Sequence, residues 1–251
     1  MILEIVIEIL LNNSRTMKKI SICTQIKNRL YQFKETFYKN LEVINQHKNI
    51  EWNIVDINST DGLKHFIKPN ISSNINYFEC IEEIRYSIPI SKNFAFRLSS
   101  GEYIFNLDAD NFLGSVIDKI IEYKYIPIYC NKFRLGVYGR IGCNKEIIKE
   151  TGGYDESFLP AGHHEQDFMA RCNLIDYNFT HVDFDEMPLQ NTKQDTIINT
   201  DMNTSWGLMN KINTFKKDTN IINKIINPNK NHTKCNFVHN FNTIIKLSEN
   251  F

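Results

Sequence analysis

The chain has 251 residues, with 29 Lys plus Arg against 29 Asp plus Glu and 42% hydrophobic residues. That length buries a sizeable core, as one large α/β domain with a helical tail, and the zero net charge excludes a nucleic-acid-coating or strongly membrane-attracted surface. The six cysteines (Cys23, Cys80, Cys130, Cys143, Cys172 and Cys235) are dispersed with no Cys-x-x-Cys pair, so zinc is not expected and reduced thiols in a cytoplasmic compartment are.

Met1 to Leu11 is apolar but carries Glu4 and Glu8, is too short to span a bilayer, and lacks the basic leader of a signal peptide. Residues 1–16 therefore read as an N-terminal extension, and no transmembrane segment is expected. Lys18 to Gln25 is a first strand. Arg29 to Gln46 is a helix that places Leu30, Phe33, Phe37, Leu41 and Ile44 on one face. Glu51 to Ile57 is a second strand running into Asn58-Ser59-Thr60-Asp61-Gly62, a loop with strong turn chemistry. A short helix over Leu63 to Lys68, a third strand over Ile75 to Cys80 and a helix over Ser91 to Ser99 follow; Ser100-Gly101 stops the helix. Tyr103 to Leu107 is a β-branched and aromatic run with the character of a buried strand.

Beyond it come a helix over Val116 to Tyr123 and strands over Ile126 to Cys130 and Leu135 to Cys143. A short helix over Lys145 to Thr151 ends at Gly152-Gly153, a loop spans Tyr154 to His163, and a helix runs from Glu165 to about Ile175. Past Asp183 the chain turns polar until a helix around Ser205 to Ile226, a candidate lid or docking segment. Strands alternating with helices predict an α/β domain with a mostly parallel sheet covered on both faces.

The strand over Tyr103 to Leu107 stops at Asp108-Ala109-Asp110. Alone, such a pair is ordinarily a turn. In an open α/β sheet, however, ligands bind beyond the carboxyl ends of the strands. Two carboxylates there, with no basic neighbour in sequence, suit a hard divalent cation, Mn²⁺ or Mg²⁺, whose shell substrate phosphates complete. A second acidic site opens the later helix at His164-Glu165-Gln166-Asp167. Acidic residues are common in a first helical turn, where the helix dipole favours them. Here Asp167 and Arg171 are also four apart on one face and able to pair. A metal-held diphosphate on one side and a carboxylate on the other suit transfer of a sugar to an acceptor hydroxyl.

These segments together resemble the inverting nucleotide-sugar glycosyltransferases of the A-type fold, in particular glycosyltransferase family 2. The resemblance rests on Cys23 to Arg29 as the loop that meets the nucleotide and on Asp56-Ile57-Asn58-Ser59-Thr60-Asp61. It rests further on Ser91-Lys92-Asn93, Asp108-Ala109-Asp110, Gly152-Gly153-Tyr154-Asp155-Glu156 and the segment from His164 to Arg171. It implies one Rossmann-type domain over residues 17–190, with a donor half at 18–114 and an acceptor half at 115–190, and a C-terminal helical segment at 191–251. It also implies that Thr24, Asn28, Arg29, Asp56, Lys92, Asn93 and Asp108 bind the nucleotide, with Asp108 on the ribose or the metal's water shell. Asp110 becomes the direct metal ligand. Counting back from Arg171 places the general base at Glu165, with Asp167 orienting the site through Arg171. His181 is the candidate third metal ligand, or a structural histidine beside a strand. The implied donor is a nucleoside diphosphate sugar, UDP favoured, and the acceptor a glycan, protein or small-molecule hydroxyl. The rivals are a binding module that keeps the fold without turnover, suggested by Ile57, His164 and Glu165, and a sugar nucleotidyltransferase. The latter is disfavoured by the lack of glycine from Thr24 to Arg29.

Overall fold

The computed structural model describes residues 19–84, 86–130, 140–160, 162–183, 189 and 206–248. The chain begins with β1 (Ile20–Ile26), α1 (Leu30–Asn45), β2 (Ile50–Asp56), α2 (Leu63–Ile67), β3 (Ile75–Cys80), α3 (Ile88–Leu98) and β4 (Tyr103–Asn106). Then come α4 (Val116–Tyr123), β5 (Ile128–Cys130), β6 (Arg140–Asn144), α5 (Lys145–Thr151), α6 (His164–Asn173) and β7 (Thr180–Val182). The chain closes with α7 (Trp206–Ile222), β8 (Cys235–His239) and β9 (Thr243–Leu247).

All nine strands join one sheet in the order β7-β5-β6-β4-β1-β2-β3-β8-β9. Its centre, β4-β1-β2-β3, is parallel, as the alternation of strands and helices predicts. Both margins are mixed: β6 runs antiparallel to β4 and β5, β7 parallel to β5, and β8 antiparallel to β3 and β9.

Residues on the two faces of the central strands feed two separate cores. On one side, Phe33 and Phe37 of α1 pack on Trp52, with the Phe37 and Trp52 rings stacked at 5.2 Å, and Ile22, Ile54, Tyr103 and Phe105 complete the layer. On the other, Phe94 and Phe96 of α3 meet Val55, Ile104, Tyr154 and Phe168. The centre is buried on both faces, and the polar residues that β1 and β2 carry inside it, Ser21, Glu51 and Asn53, bond one another.

The structure differs from the sequence reading at three places. The helix expected from Ser91 begins at Ile88, because Pro89 falls in its first turn, where a missing N–H costs nothing and the fixed φ suits the helix. The strand expected over Leu135 to Cys143 is described from Arg140, and its earlier part lies outside the described residues. The C-terminal segment is helical in α7, and it then adds the β8–β9 hairpin to the edge beside β3. Asn240 and Phe241 turn that hairpin at positive φ, and the turn grips β3. Asn240 N donates to Tyr77 O and Tyr77 N to Asn240 Oδ1, both at 2.8 Å, while the Phe241 ring stacks on Tyr77 at 5.1 Å.

Gly101 is where the chain enters β4 against the start of β1. Its N–H donates to Ser21 Oγ at 2.8 Å, and a Cβ there would lie 2.7 Å from Ser21 N and 2.8 Å from Lys19 O. Backbone cannot step aside as a side chain would. Gly101→Ala is expected to destabilise the fold by about 1–3 kcal/mol in urea unfolding, the usual cost of overpacking.

Candidate functional site

Because β1, β2 and β4 are parallel neighbours, their carboxyl ends open on one side and bring three loops together. The loop after β1 turns through Asn28 at φ 53°. Its side chain ties that loop to the one after β2: Asn28 Oδ1 accepts from Thr60 N at 2.8 Å, and Asn28 N donates to Ser59 Oγ at 3.0 Å. Asp61 Oδ2 accepts from Leu30 N at 2.8 Å and caps α1 from across the loops, supplying one of the partners a helix start lacks. Arg29 precedes α1 and directs its guanidinium to Gln32 Oε1 at 2.9 Å. Asp56 ends β2 at the floor, where Tyr77 Oη donates to Oδ2 at 2.5 Å and Ser59 N to Oδ1 at 2.8 Å. Burial pushes its carboxyl up, and the hydrogen bonds from Tyr77 and Ser59 only partly offset this.

The acidic loop after β4 is held from α1. Thr36 Oγ1 donates to Ala109 O at 2.8 Å; Asn40 Nδ2 donates to Asn111 O at 2.9 Å, and Asn40 Oδ1 accepts from Leu113 N at 2.7 Å. Arg140 of β6 donates from Nε to Asn111 Oδ1, and Asn111 Nδ2 donates to Asp110 Oδ1 at 2.6 Å. Asp108 Oδ1 accepts from Gln25 Nε2 at 3.0 Å and Asn106 Nδ2 at 2.9 Å.

One lysine joins α3 to the end of β4 and the start of α6. Lys92 of α3 is 1% exposed, and its Nζ lies 2.7 Å from Glu165 Oε1 and 3.7 Å from Asp108 Oδ1, above the Tyr154 ring at 5.4 Å. Burial alone would neutralise this amine; Asp108 and Glu165 outweigh it and push its pKa up. Burial likewise works against the Glu165 charge, but His164 and Lys92 overcome it and hold the carboxyl well below the usual range. His164 Nε2 sits 2.6 Å from the same Glu165 oxygen. Tyr86 lines the same corner, its hydroxyl pushed up to about 12 by burial and by the nearby Asp108 charge.

Asp167 pairs with Arg171 as the spacing predicts, at 2.7 Å, and both side chains are fully buried. Asn220 of α7 donates to the other Asp167 oxygen at 2.8 Å. Arg171 also donates to Thr151 O, Gly153 O and Ile226 O, so it clamps α6, the Gly152-Gly153 turn and the end of the α7 region together.

Three sequence assignments change. Thr24 faces the core, its Oγ1 accepting from the Trp52 indole at 2.9 Å. Asn93 is buried and pins the turn after α5, bonding both N and O of Tyr154 and Glu156 Oε1, all at 2.9 Å. Asp167 keeps its place beside Arg171, with both carboxylate oxygens taken up by Arg171 and Asn220. His181 stands on edge strand β7, separated from β4 by β5 and β6, about 14 Å at ordinary strand spacing. It lies 3.7 Å from Asp183 and packs on Tyr129. Among the described residues no three His, Cys, Asp or Glu side chains converge as a ligand set. Asp108 and Asp110 remain a hard-oxygen pair that fits Mn²⁺ or Mg²⁺ when diphosphate oxygens complete the shell. Sequence reasoning missed Tyr86 and Asn220, which carry no local signal, and passed over the bridging place of Lys92.

Residues 21–123, from β1 to the end of α4, match the model of Glycosyl transferase family 2. The mannosyltransferase PcManGT from Pyrobaculum calidifontis, solved with GDP-Man and Mn²⁺, superposes with a TM-score of 0.53 at 15% identity over 66% of this chain. The chain has the A-type fold, and its residues 21–123 are similar to glycosyltransferase family 2. S. aureus TarS (residues 1–349) gives a TM-score of 0.51 at 15% identity over 65% of this chain, and its complex with UDP-GlcNAc 0.50 at 14% over 67%. The chain spans 55%, 58% and 59% of those three chains. No curated protein matches it. Among the described residues no helix is long and apolar enough to cross a membrane.

Removing Lys92 strands two carboxylates. Lys92→Met is expected to cost about 3–5 kcal/mol in denaturant unfolding, the usual effect of breaking a buried ion pair. Adding Glu165→Gln to Lys92→Met should recover part of that loss. The depressed Glu165 pKa also has a signed consequence: its stabilisation is present above the unfolded value of about 4.3 and is lost as pH falls below it. Stability measured from pH 7 downward should therefore fall less steeply in Glu165→Gln than in the wild type.

Proposed function

We propose that the protein is a metal-dependent inverting glycosyltransferase that moves a sugar from a nucleoside diphosphate, UDP favoured, to an acceptor hydroxyl. The observation that carries this reading is the meeting of Asp108, at the end of β4, and Glu165, at the start of α6, on one buried ammonium. Carboxylates from the two halves of the chain thus face one reacting space. The complexes of PcManGT with GDP-Man and Mn²⁺ and of TarS with UDP-GlcNAc support a nucleotide-sugar donor.

Asp110, with Asp108 beside it, would hold Mn²⁺ or Mg²⁺, which when bound stabilises the departing diphosphate. Asn28, Arg29 and Asp56 shape the loops that meet the nucleotide. Glu165 takes the proton of the acceptor hydroxyl. Its depressed pKa keeps it ionised at any working pH, at the expense of base strength. A weak base suffices when the hydroxyl acidifies as its bond to an oxocarbenium-like carbon forms. Lys92 and His164 hold that carboxylate in one rotamer, and Asp167 with Arg171 fixes the helix that carries it. The engagement of Glu165 by two partners equally suits a binding module that takes the donor and does not turn it over.

The test is a thermal-shift panel of nucleoside diphosphates, with and without Mn²⁺, followed by donor turnover. A rise in melting temperature with UDP that needs the metal and disappears in Asp110→Ala is expected, since a ligand that binds only the native state stabilises it. Glu165→Gln should keep that shift and lose about 10²–10⁴-fold in transfer, the range for removing a general base. Binding without transfer or donor hydrolysis in the wild type would establish the binding module instead. No metal-dependent shift with any nucleotide would remove the donor site altogether.

A further inference from the structure

Cys80 and Cys235 are 155 residues apart in sequence, yet their sulfurs lie 2.8 Å from each other. Cys80 ends β3 and Cys235 begins β8, the adjoining antiparallel strand; both are buried on the same face of the sheet. Among the described residues none of the other four thiols has a sulfur within hydrogen-bonding range. We propose that Cys80 and Cys235 are a disulfide-forming pair that locks the C-terminal hairpin onto the nucleotide edge of the sheet.

Three observations make the lock consequential. The hairpin turn holds Tyr77 through Asn240 and Phe241, and Tyr77 in turn donates to Asp56. Cys80 O accepts from Asn58 Nδ2 at 3.0 Å, so the strand end that would carry the bond also holds the loop after β2. The hairpin forms the outermost two strands, with Ile244 of β9 61% exposed, and edge strands open locally at lower cost than the core. Such opening gives an oxidant access to thiols that are otherwise covered.

The chemistry is thiol–disulfide exchange with a small disulfide such as oxidised glutathione. The Cys80 thiolate attacks one sulfur of that disulfide, whose S–S bond breaks and releases one glutathione thiolate. The Cys235 thiolate then attacks Cys80 Sγ in the mixed disulfide and releases the second. Two protein thiols lose their protons and are oxidised, and one glutathione disulfide is reduced to two thiols. Either sulfur can donate in the contact between the two, and the steps balance equally with Cys235 attacking first. The sulfurs need only close from contact to an S–S length of about 2.05 Å. Where cytoplasmic disulfides occur in mesophiles they are usually redox-sensing or catalytic, which suits a bond that forms on exposure to an oxidant.

The test incubates the native full-length chain in a series of oxidised-to-reduced glutathione ratios, then blocks free thiols and maps peptides. A single linked peptide joining Cys80 and Cys235 is expected, with a mass lower by two hydrogens and a higher melting temperature. Amide exchange across β8 and β9 should slow. Cys80→Ala and Cys235→Ala should each abolish the link and the shift, while Cys130→Ala keeps both. If either variant fails to fold, the wild-type peptide map decides. The proposal is overturned if all six thiols stay free under oxidising buffer in the folded chain, or if the link joins other cysteines. A link that leaves hairpin exchange unchanged overturns the lock. None of these readouts needs nucleotide or sugar, so they stand apart from the donor-site reading.

Discussion

An ammonium taken out of water survives only between carboxylates, because its desolvation penalty has to be met by close opposite charge. Lys92 is held that way, and the requirement fixes the geometry around it. α3 must sit where Nζ reaches both the end of β4 and the first turn of α6, and Tyr154 must bring its ring beneath the charge. The two halves of the domain are therefore registered by one buried cation as well as by apolar packing. That gives the spacing between Asp108 and Glu165 a definite value, which loop-borne residues alone would not provide.

The loops around this cation are stiffened in a recurrent way. Asparagine side chains pair with loop backbone on both amide edges, as a strand neighbour would. Asn40 holds Asn111 and Leu113, Asn93 holds both backbone groups of Tyr154, Asn213 holds both of Leu159, and Asn229 spans Gly152, Tyr154 and Glu156. Buried loop backbone must find partners somewhere. These asparagines supply them.

The sheet centre was legible because β1, β2 and β4 are rich in β-branched and aromatic residues, and the α1 stripe is strongly periodic. Asp108 and Asp110 were legible as a pair at a strand end, and Asp167 with Arg171 by helical spacing. What failed depends on direction or distance. Thr24 and Asn93 sit in segments correctly placed near the site, but the pleat and the helix face turn them into the core. His181 was assigned by residue type, and strand order puts it on the far margin. Lys92 meets Glu165 73 residues away, and Cys80 meets Cys235 155 away. No local pattern encodes such meetings. The β8–β9 hairpin was hidden for a related reason: its exposed outer strand lacks the alternation of a half-buried one, and its turn is made by Asn240 and Phe241 rather than glycine.

The grip of the hairpin on Tyr77 has a consequence for biosynthesis. β3 is made early, yet its free edge is covered only by residues near the end of the described chain. During translation that edge waits, with unpaired backbone groups, for about 160 further residues to leave the ribosome. The parallel centre of the sheet cannot reach its final form as a nascent domain. Its maturation is timed by the arrival of the last two strands, so a ribosome that stalls before them leaves a sticky, unfinished sheet.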